Sequence, residues 1–431
     1  MQQEHQPFDV RIHLDPQATA GACIRVVGVG GGGSNAVNSM IRRGLTGVDF
    51  IVANTDAQAL ASSPAPTKIQ LGKQLTRGLG AGADPTVGQR AVEESIEEVR
   101  EALQGSDMIF VTAGMGGGTG TGAAPVIAQL GRELGALVVG IVTKPFKWEA
   151  RRRMQIALEG IELLRRQVDA LIVIPNQRLM DIIEPTTSFI EAFQRVDDVL
   201  YNATRGIADI ISGNGYVNVD FADVRTIMKN KGDAIMGIGS ARGEFRAREA
   251  AINAINSPLL DGVSIAGAEG VLVNITARED VSMAEVGEAV QTIEEAAGDQ
   301  VNLIFGVVFN SDLEDTMMVT VVATGFNHAA AIDSPAAINI QPDQGVSPTV
   351  QPQHEEQRIA ANGPAIVYPL AEQRTLPEAA PVGHAETAKY NTPAYLRRNS
   401  SVPLGSTTPH AGGTESKQPS DKPAFLRRIM D

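Results

Sequence analysis

At 431 residues with 43% hydrophobic side chains, the chain has room for two or three domains with substantial cores. Its single cysteine, Cys23, excludes an internal disulfide, and the polar, mixed-charge opening and lack of any membrane-length apolar run predict a cytoplasmic protein. The net charge of −14, nearly all of it carried before residue 327, makes the body a poor partner for nucleic acid and for anionic lipid.

Residues 1–21 read as a flexible leader. From Cys23 to Val173, apolar strands at 23–27, 50–53, 108–111, 137–142 and 171–174 alternate with helical segments at 35–43, 87–104, 123–134 and 151–167. This alternation predicts a doubly wound parallel sheet covered on both faces, a Rossmann-like α/β arrangement. Ligands on such sheets sit beyond the carboxyl ends of the strands. Two glycine-rich turns fall on that rim. The first, Gly28-Val-Gly-Gly-Gly-Gly-Ser-Asn35, fits the G-x-G-x-x-G fingerprint at Gly28, Gly30 and Gly33, a weak signal alone. The second, Ala113-Gly-Met-Gly-Gly-Gly-Thr-Gly-Thr-Gly122, has six glycines in the nine residues from Gly114. Without side chains, backbone N–H groups close around a small anion, and a following helix adds its free N-terminal donors and its dipole. Thr119 and Thr121 bring hydroxyls to the same place. One such loop is as often a plain flexible turn; two on one rim point to a nucleotide site held by backbone amides. The Walker lysine is missing, because Gly72-Lys73 is followed by Gln74. Lys144-Pro-Phe-Lys-Trp-Glu149 and Ile174-Pro-Asn176 fall on the same rim.

A long helix is expected over 188–211, where Phe189, Phe193, Val196, Leu200, Ala203, Ile207 and Ile210 form one apolar stripe. The stripe alone means only a helix buried between two bodies. A loop over 213–223 leads to a second α/β region, with strands at 270–277, 301–309 and 317–323 and helices at 245–256 and 284–296. After Phe326 the composition turns to Pro, Ala, Gln, Ser, Thr and Gly, which predicts a disordered linker over 327–420. As a flexible coil, about 95 residues span roughly 50–60 Å. Within and after it stands a repeat, Pro393-Ala-Tyr-Leu-Arg-Arg398 and Pro423-Ala-Phe-Leu-Arg-Arg428, matching at five of six positions. An aromatic–leucine pair before two arginines reads as a short recognition motif anchored by Phe425 and Leu426. The expected divisions are 1–21, 22–211 (nucleotide-binding domain with the central helix), 212–326 (a smaller α/β domain), 327–420 and 421–431.

All six histidines (His5, His13, His328, His354, His384 and His410) lie in the tails. The body therefore lacks a histidine for a triad, a zinc site or a general base. Hydrolytic chemistry there falls to carboxylates, amides, backbone donors and Mg²⁺. Cys23, in an apolar strand, reads as a structural thiol.

Several of these motifs carry a resemblance. Gly116-Gly-Gly-Thr-Gly-Thr-Gly122 is similar to the signature loop of the tubulin/FtsZ superfamily. Gly28 to Asn35, Asn54-Thr-Asp-Ala-Gln-Ala-Leu60, Arg77-Gly-Leu-Gly-Ala-Gly-Ala-Asp84 and Asn218-Val-Asp-Phe-Ala-Asp223 resemble the FtsZ family of bacterial cell-division proteins. The similarity runs from 22 to 326 and resumes at 421–431; Ser34 departs from it, standing where many relatives carry glycine.

The resemblance implies a tubulin-like fold: a Rossmann-like parallel-sheet GTPase domain, joined by the central helix to a smaller α/β domain, with disordered tails. It implies GTP/GDP as the bound nucleotide, with Mg²⁺ and no residue assigned as its ligand. The phosphates would rest on Gly31, Gly32, Gly33, Ser34 and Asn35, and on Gly117, Gly118, Thr119 and Gly120, with the loop from Gly80 to Asp84 sensing the γ-phosphate. Glu149 and Arg153 would contact ribose and phosphate, Asn176 and Asp197 would face guanine, and Phe193 would stack on it. Read without the resemblance, at least one of Asp197 and Asp198 is a solvated helix acid. Asp220 and Asp223, with Asn218 assisting, would be the catalytic residues, acting on the next subunit's nucleotide in a head-to-tail filament. A helix of about 20 residues spans about 30 Å, too far for one chain to bring its own acids to its own loops. The implied function is a self-assembling cytoskeletal GTPase of the division ring beneath the membrane at mid-cell. Its partners would be further copies of itself, and membrane-adaptor and septation-regulator proteins at 423–428 and at the 393–398 copy, with neither nucleic-acid binding nor direct membrane insertion. Two alternatives are a Rossmann-type NAD-dependent oxidoreductase, which lacks an unambiguous ribose acid at Asn54-Thr-Asp56, and a nucleotide-binding scaffold without hydrolysis.

Overall fold

The structure, a computed structural model, describes residues 21–180, 186–212 and 215–326. The expected leader, linker and both copies of the tail motif lie outside the described residues. Among those described, ten strands form one sheet: β1 (Ile24–Val29), β2 (Asp49–Asn54), β3 (Thr67–Gln70), β4 (Met108–Gly114), β5 (Leu137–Lys144), β6 (Ala170–Pro175), β7 (Gly232–Arg242), β8 (Gly270–Ala277), β9 (Asn302–Phe309) and β10 (Thr316–Thr324). The order is β3-β2-β1-β4-β5-β6-β7-β10-β8-β9. From β3 to β7 the pairing is parallel; β10 runs antiparallel to β7 and β8. The second α/β region is thus hydrogen-bonded to the first through three residue pairs, Ala170↔Gly232 to Ile172↔Ala234.

The helices are α1 (Gly30–Arg42), α2 (Ala57–Ser62), α3 (Pro85–Glu94), α4 (Ile96–Leu103), α5 (Thr119–Glu133), α6 (Arg151–Arg165), α7 (Asn176–Leu179), α8 (Phe189–Ile211), α9 (Phe221–Met228), α10 (Arg246–Ile255) and α11 (Met283–Ala297). One face of the parallel sheet is covered by α1, α8 and α9, through Met40, Leu200, Ile207 and Met228 against Phe110 and Val139. The other face is covered by α3, α4, α5 and α6, through Val92, Leu103, Ile127 and Leu164 against Ile109 and Val138. A third core joins α10 and α11 to β8 and β10. Central strands buried on both faces need near-continuous Val, Ile and Leu, which is why β4 and β5 were legible in the sequence.

Other elements differ from expectation for identifiable reasons. The helix expected over 87–104 breaks at Ser95, whose hydroxyl accepts the Gly72 N–H at 3.2 Å and has left helical geometry (φ −106°, ψ 20°). Strand β7 was not foreseen because its glycines mask any alternation. They are there for α10: a Cβ on Gly237 would lie 2.0 Å from the Ala254 carbonyl oxygen, and one on Gly239 2.2 Å from that of Ala250. Helices α1 and α5 begin within the glycine runs, at Gly30 and Thr119, rather than after them at the expected residues 35 and 123. The segment read as a loop to Asp223 already contains the first turn of α9.

Candidate functional site

The two glycine-rich turns follow β1 and β4, which are neighbours in the sheet, so their carboxyl ends bring the turns side by side. Gly30 takes a left-handed φ of +68°, and a Cβ there would stand 2.7 Å from the Gly120 amide nitrogen. Only glycine allows this approach. Gly31 and Gly117 are different: a Cβ on either would meet nothing within 4 Å. Their bare backbones face open space, as a cradle for a ligand requires. Helix α1 starts from Val29 and α5 from Gly118, and neither residue caps its helix with a side chain. Two adjacent helix N-termini therefore present donors without side-chain acceptors, which is an anion-binding arrangement.

The hydroxyls have defined work. Thr121 Oγ1 accepts the Gly116 N–H at 2.9 Å and pins the second turn. Thr119 Oγ1 lies 2.6 Å from Thr55 Oγ1, a partner that the sequence reading missed although Thr55 directly follows strand β2. Ser34 donates its hydroxyl proton to the Gly30 carbonyl at 2.7 Å, so it closes its own turn and has no free O–H to offer the site. Asn35 is exposed on α1. Asp56, nearest to where a dinucleotide fold keeps its ribose acid, instead caps α2 through the Gln58 and Ala59 N–H groups at 2.9 and 3.1 Å. The loop from Gly80 to Asp84 lies against the second turn, since a Cβ on Gly118 would meet the Asp84 amide nitrogen at 2.8 Å.

On the same rim, past β5, a single 3₁₀ turn (Lys147–Glu149) carries Glu149, which accepts the Phe146 N–H at 2.7 Å and pairs with Arg153 at 3.3 Å. Phe193 belongs to an aromatic group, its centroid 4.9 Å from Phe189, 5.6 Å from Phe146 and 6.3 Å from Trp148. Trp148 and Phe189 are 57% and 65% exposed; Trp148 lies on the rim segment 144–149 expected beside the site, whereas Phe189 was expected only in the apolar stripe of the long helix. One turn after Phe193 stands Asp197. Burial, reinforced by the neighbouring Asp198 charge, pushes its carboxyl up to about 6. Asp198 is the one in ion pairs, with Arg43 and, at 3.7 Å, Arg195. Asn176 opens α7 just past β6, is only 4% exposed, and its Oδ1 has no hydrogen-bond partner among the described residues. An acceptor buried without a partner costs about 1–3 kcal/mol, so this position is built for a donor that a ligand brings.

Asn218, Asp220 and Asp223 are elsewhere. All three are exposed, Asn218 accepting the Gly215 N–H at 3.0 Å, Asp220 starting α9 and Asp223 in its first turn. Arg225 of α9 donates to the Gly135 carbonyl, just before β5, and Lys231 donates its backbone N–H to Asp169, just before β6. The acidic loop therefore sits at the amino ends of the strands, on the opposite rim from the glycine turns. Helix α8, 23 residues and about 35 Å long, runs from one rim to the other.

Residues 23–184 match the family described as "Tubulin/FtsZ family, GTPase domain", and residues 232–327 match "FtsZ family, C-terminal domain". Among solved structures, an empty FtsZ dimer from M. jannaschii is 44% identical with a TM-score of 0.69, covering 72% of this chain and 93% of that one. A tryptophan-to-tyrosine mutant of FtsZ from the same organism is 45% identical at a TM-score of 0.68, covering 71% and 92%. CetZ2 from Haloferax volcanii, a GTPγS-bound protofilament, is 22% identical over 71% of this chain and 94% of that one, with a TM-score of 0.61, a likeness of fold. Matched by both domains and by relatives at this identity over nearly their whole length, the chain belongs to the tubulin/FtsZ family and is a self-assembling, cytoskeletal GTPase of the FtsZ type.

Proposed function

We propose that GTP is held on the carboxyl-end rim of one chain and hydrolysed with help from the amino-end rim of the next. In this reading the turn of Gly31, Gly32, Gly33, Ser34 and Asn35 and that of Gly117, Gly118, Thr119 and Gly120 cradle the phosphates, gripping them through the amides left free at the starts of α1 and α5. Glu149 and Arg153 hold the ribose and phosphate side. Guanine stacks on Phe193, with Asn176 Oδ1 and the Asp197 carboxylate accepting its N–H groups; adenine lacks the adjacent N1–H and N2–H pair that favours a carboxylate. Asp220 and Asp223, with Asn218, polarise a water molecule aimed at the γ-phosphorus. The water oxygen bonds to phosphorus as the bond to the β–γ bridging oxygen breaks; GDP carries away the electron pair, and the proton passes to solvent with the phosphate. Mg²⁺ bound with the nucleotide would neutralise charge on the phosphates as the bond breaks; among the described residues of a single chain no group of three or more His, Cys, Asp or Glu is placed to hold a metal.

The observation that carries this reading is the separation of the acids from the glycine turns on opposite rims. A chain stacked head-to-tail on another brings the two sets together, and such a contact does not close on itself, so it extends into a filament. The cellular role proposed with it is the bacterial division ring, reached through adaptor and regulator proteins that read 423–428 and 393–398; among the described residues no helix is long and apolar enough to cross a membrane. Mixing two inactive chains tests the shared site. Asp223→Ala keeps its pocket and loses the acid; Gly31→Asp keeps its acids and places a carboxylate in the open space of the phosphate turn. Each alone should lose turnover by about 10²-fold or more. Together they should recover activity, because the pocket of the first meets the acids of the second. Co-assembly without recovery contradicts the proposal.

A further inference from the structure

Beside the glycine turns a cleft of about 1190 Å³ runs between α3, α5 and α6. Its inner end is the Gly82–Asp84 loop and Gly116 to Gly118; its outer end reaches Leu163 and Gln167. The helices pack so closely beneath it that its floor is backbone: a Cβ on Gly122 would stand 2.0 Å from the Pro85 carbonyl oxygen. Each wall carries an exposed glutamine: Gln89 on α3, Gln129 on α5 and Gln155 on α6. All three are tied back along their own helix, each amide donating to a glutamate one turn on: Gln89 to Glu93 at 2.9 Å, Gln129 to Glu133 at 2.9 Å and Gln155 to Glu159 at 3.1 Å. The pairs hold the side chains along the walls instead of across the gap. Each amide still keeps a second N–H for a passing anion.

The charged lining is balanced, Arg152 and Arg153 against Asp84 and Glu159. The acids are occupied: Asp84 caps α3 through Thr86 at 2.8 and 2.9 Å, and Glu159 accepts from Gln155. Both arginines stand at the inner end, on the first turn of α6. If the next subunit's acidic loop covers the nucleotide, the axial way out is closed while the filament holds, and this sideways opening is not. We propose that the cleft is the exit by which inorganic phosphate leaves an assembled subunit after cleavage. The proposal rests on the assignment of the γ-phosphate to the 80–84 and 117–120 loops.

Three variants place a tryptophan on a wall: Gln129→Trp, Gln155→Trp and, should either fail to fold, Gln89→Trp. In assembled protein, cleavage is read by acid quench and free phosphate by a fluorescent phosphate-binding sensor. The expected result is cleavage at the wild-type rate with release slowed about fivefold or more, so that filaments holding GDP and phosphate persist. Gln155→Ala, which widens the cleft, should release no slower than wild type. Unchanged release with unchanged cleavage in the tryptophan variants overturns the exit route. Gly117→Asp, at the open position of the second turn, is measured alongside by GTP binding: retained binding overturns the phosphate-site assignment beneath the proposal, a failure distinct from that of the cleft.

Discussion

Asp197 and Asp198 are adjacent on α8, yet their surroundings give them different chemistry. Asp198 faces Arg43 and Arg195 and is neutralised in place, whereas Asp197 is half-buried and its carboxyl is pushed up to about 6. For the free protein the sign is that of a raised acid: the contribution to stability is full below the ordinary carboxylate range and is lost as pH rises through about 6. For binding the sign reverses, because only the ionised carboxylate accepts both guanine N–H groups. GTP affinity should therefore fall as pH drops through about 6, approaching tenfold per pH unit, and Asp197→Asn should bind more weakly with a flattened profile, as titration calorimetry between pH 5 and 8 would record. An affinity independent of pH in the wild type would remove Asp197 from the base site. Spacing in the sequence could not separate these two acids, since which of them meets arginine depends on α1 crossing α8. Thr55 and Phe189 were missed for a similar reason: Thr55 meets Thr119 and Phe189 meets Trp148, each distant in sequence.

At the scale of elements, the turn into α6 stores strain. Ala150 has φ +86° and ψ 145°, a region almost confined to glycine, and it stands between Glu149 and the arginines of the first α6 turn. Relieving that strain, less the extra freedom glycine gives the unfolded chain, predicts that Ala150→Gly raises stability by about 1 kcal/mol, measurable by urea denaturation. A destabilised variant would mean that the local backbone is not strained. The long apolar strands and the α8 stripe were legible because burial on one or both faces writes a period into the sequence. Strand β7, the break at Ser95 and the early starts of α1 and α5 were not. Their glycines and serine serve close approach and turn bonding, which read locally as loop.

Across the whole molecule, one sheet carries both halves of the proposed site on opposite rims, and α8 spans the distance between them. That arrangement makes a single chain an incomplete enzyme. The acids were readable as a motif only through the family resemblance; their position on the far rim follows from the bonds of Arg225 and Lys231 at the amino ends of β5 and β6. The tail should stand apart from the chemistry. A chain ending at residue 420 should hydrolyse GTP and assemble at the same protein concentration as the full chain, and a shifted threshold would assign the last residues a part in the filament contact.

The central claim is that the active site forms between subunits. GTP turnover should be measured against protein concentration with light scattering recorded in the same cuvette. The account predicts almost no turnover below a threshold, and a steep rise above it that coincides with scattering. Turnover strictly proportional to concentration, without scattering, would mean that each chain carries a complete site and that Asp220 and Asp223 do not act across the contact.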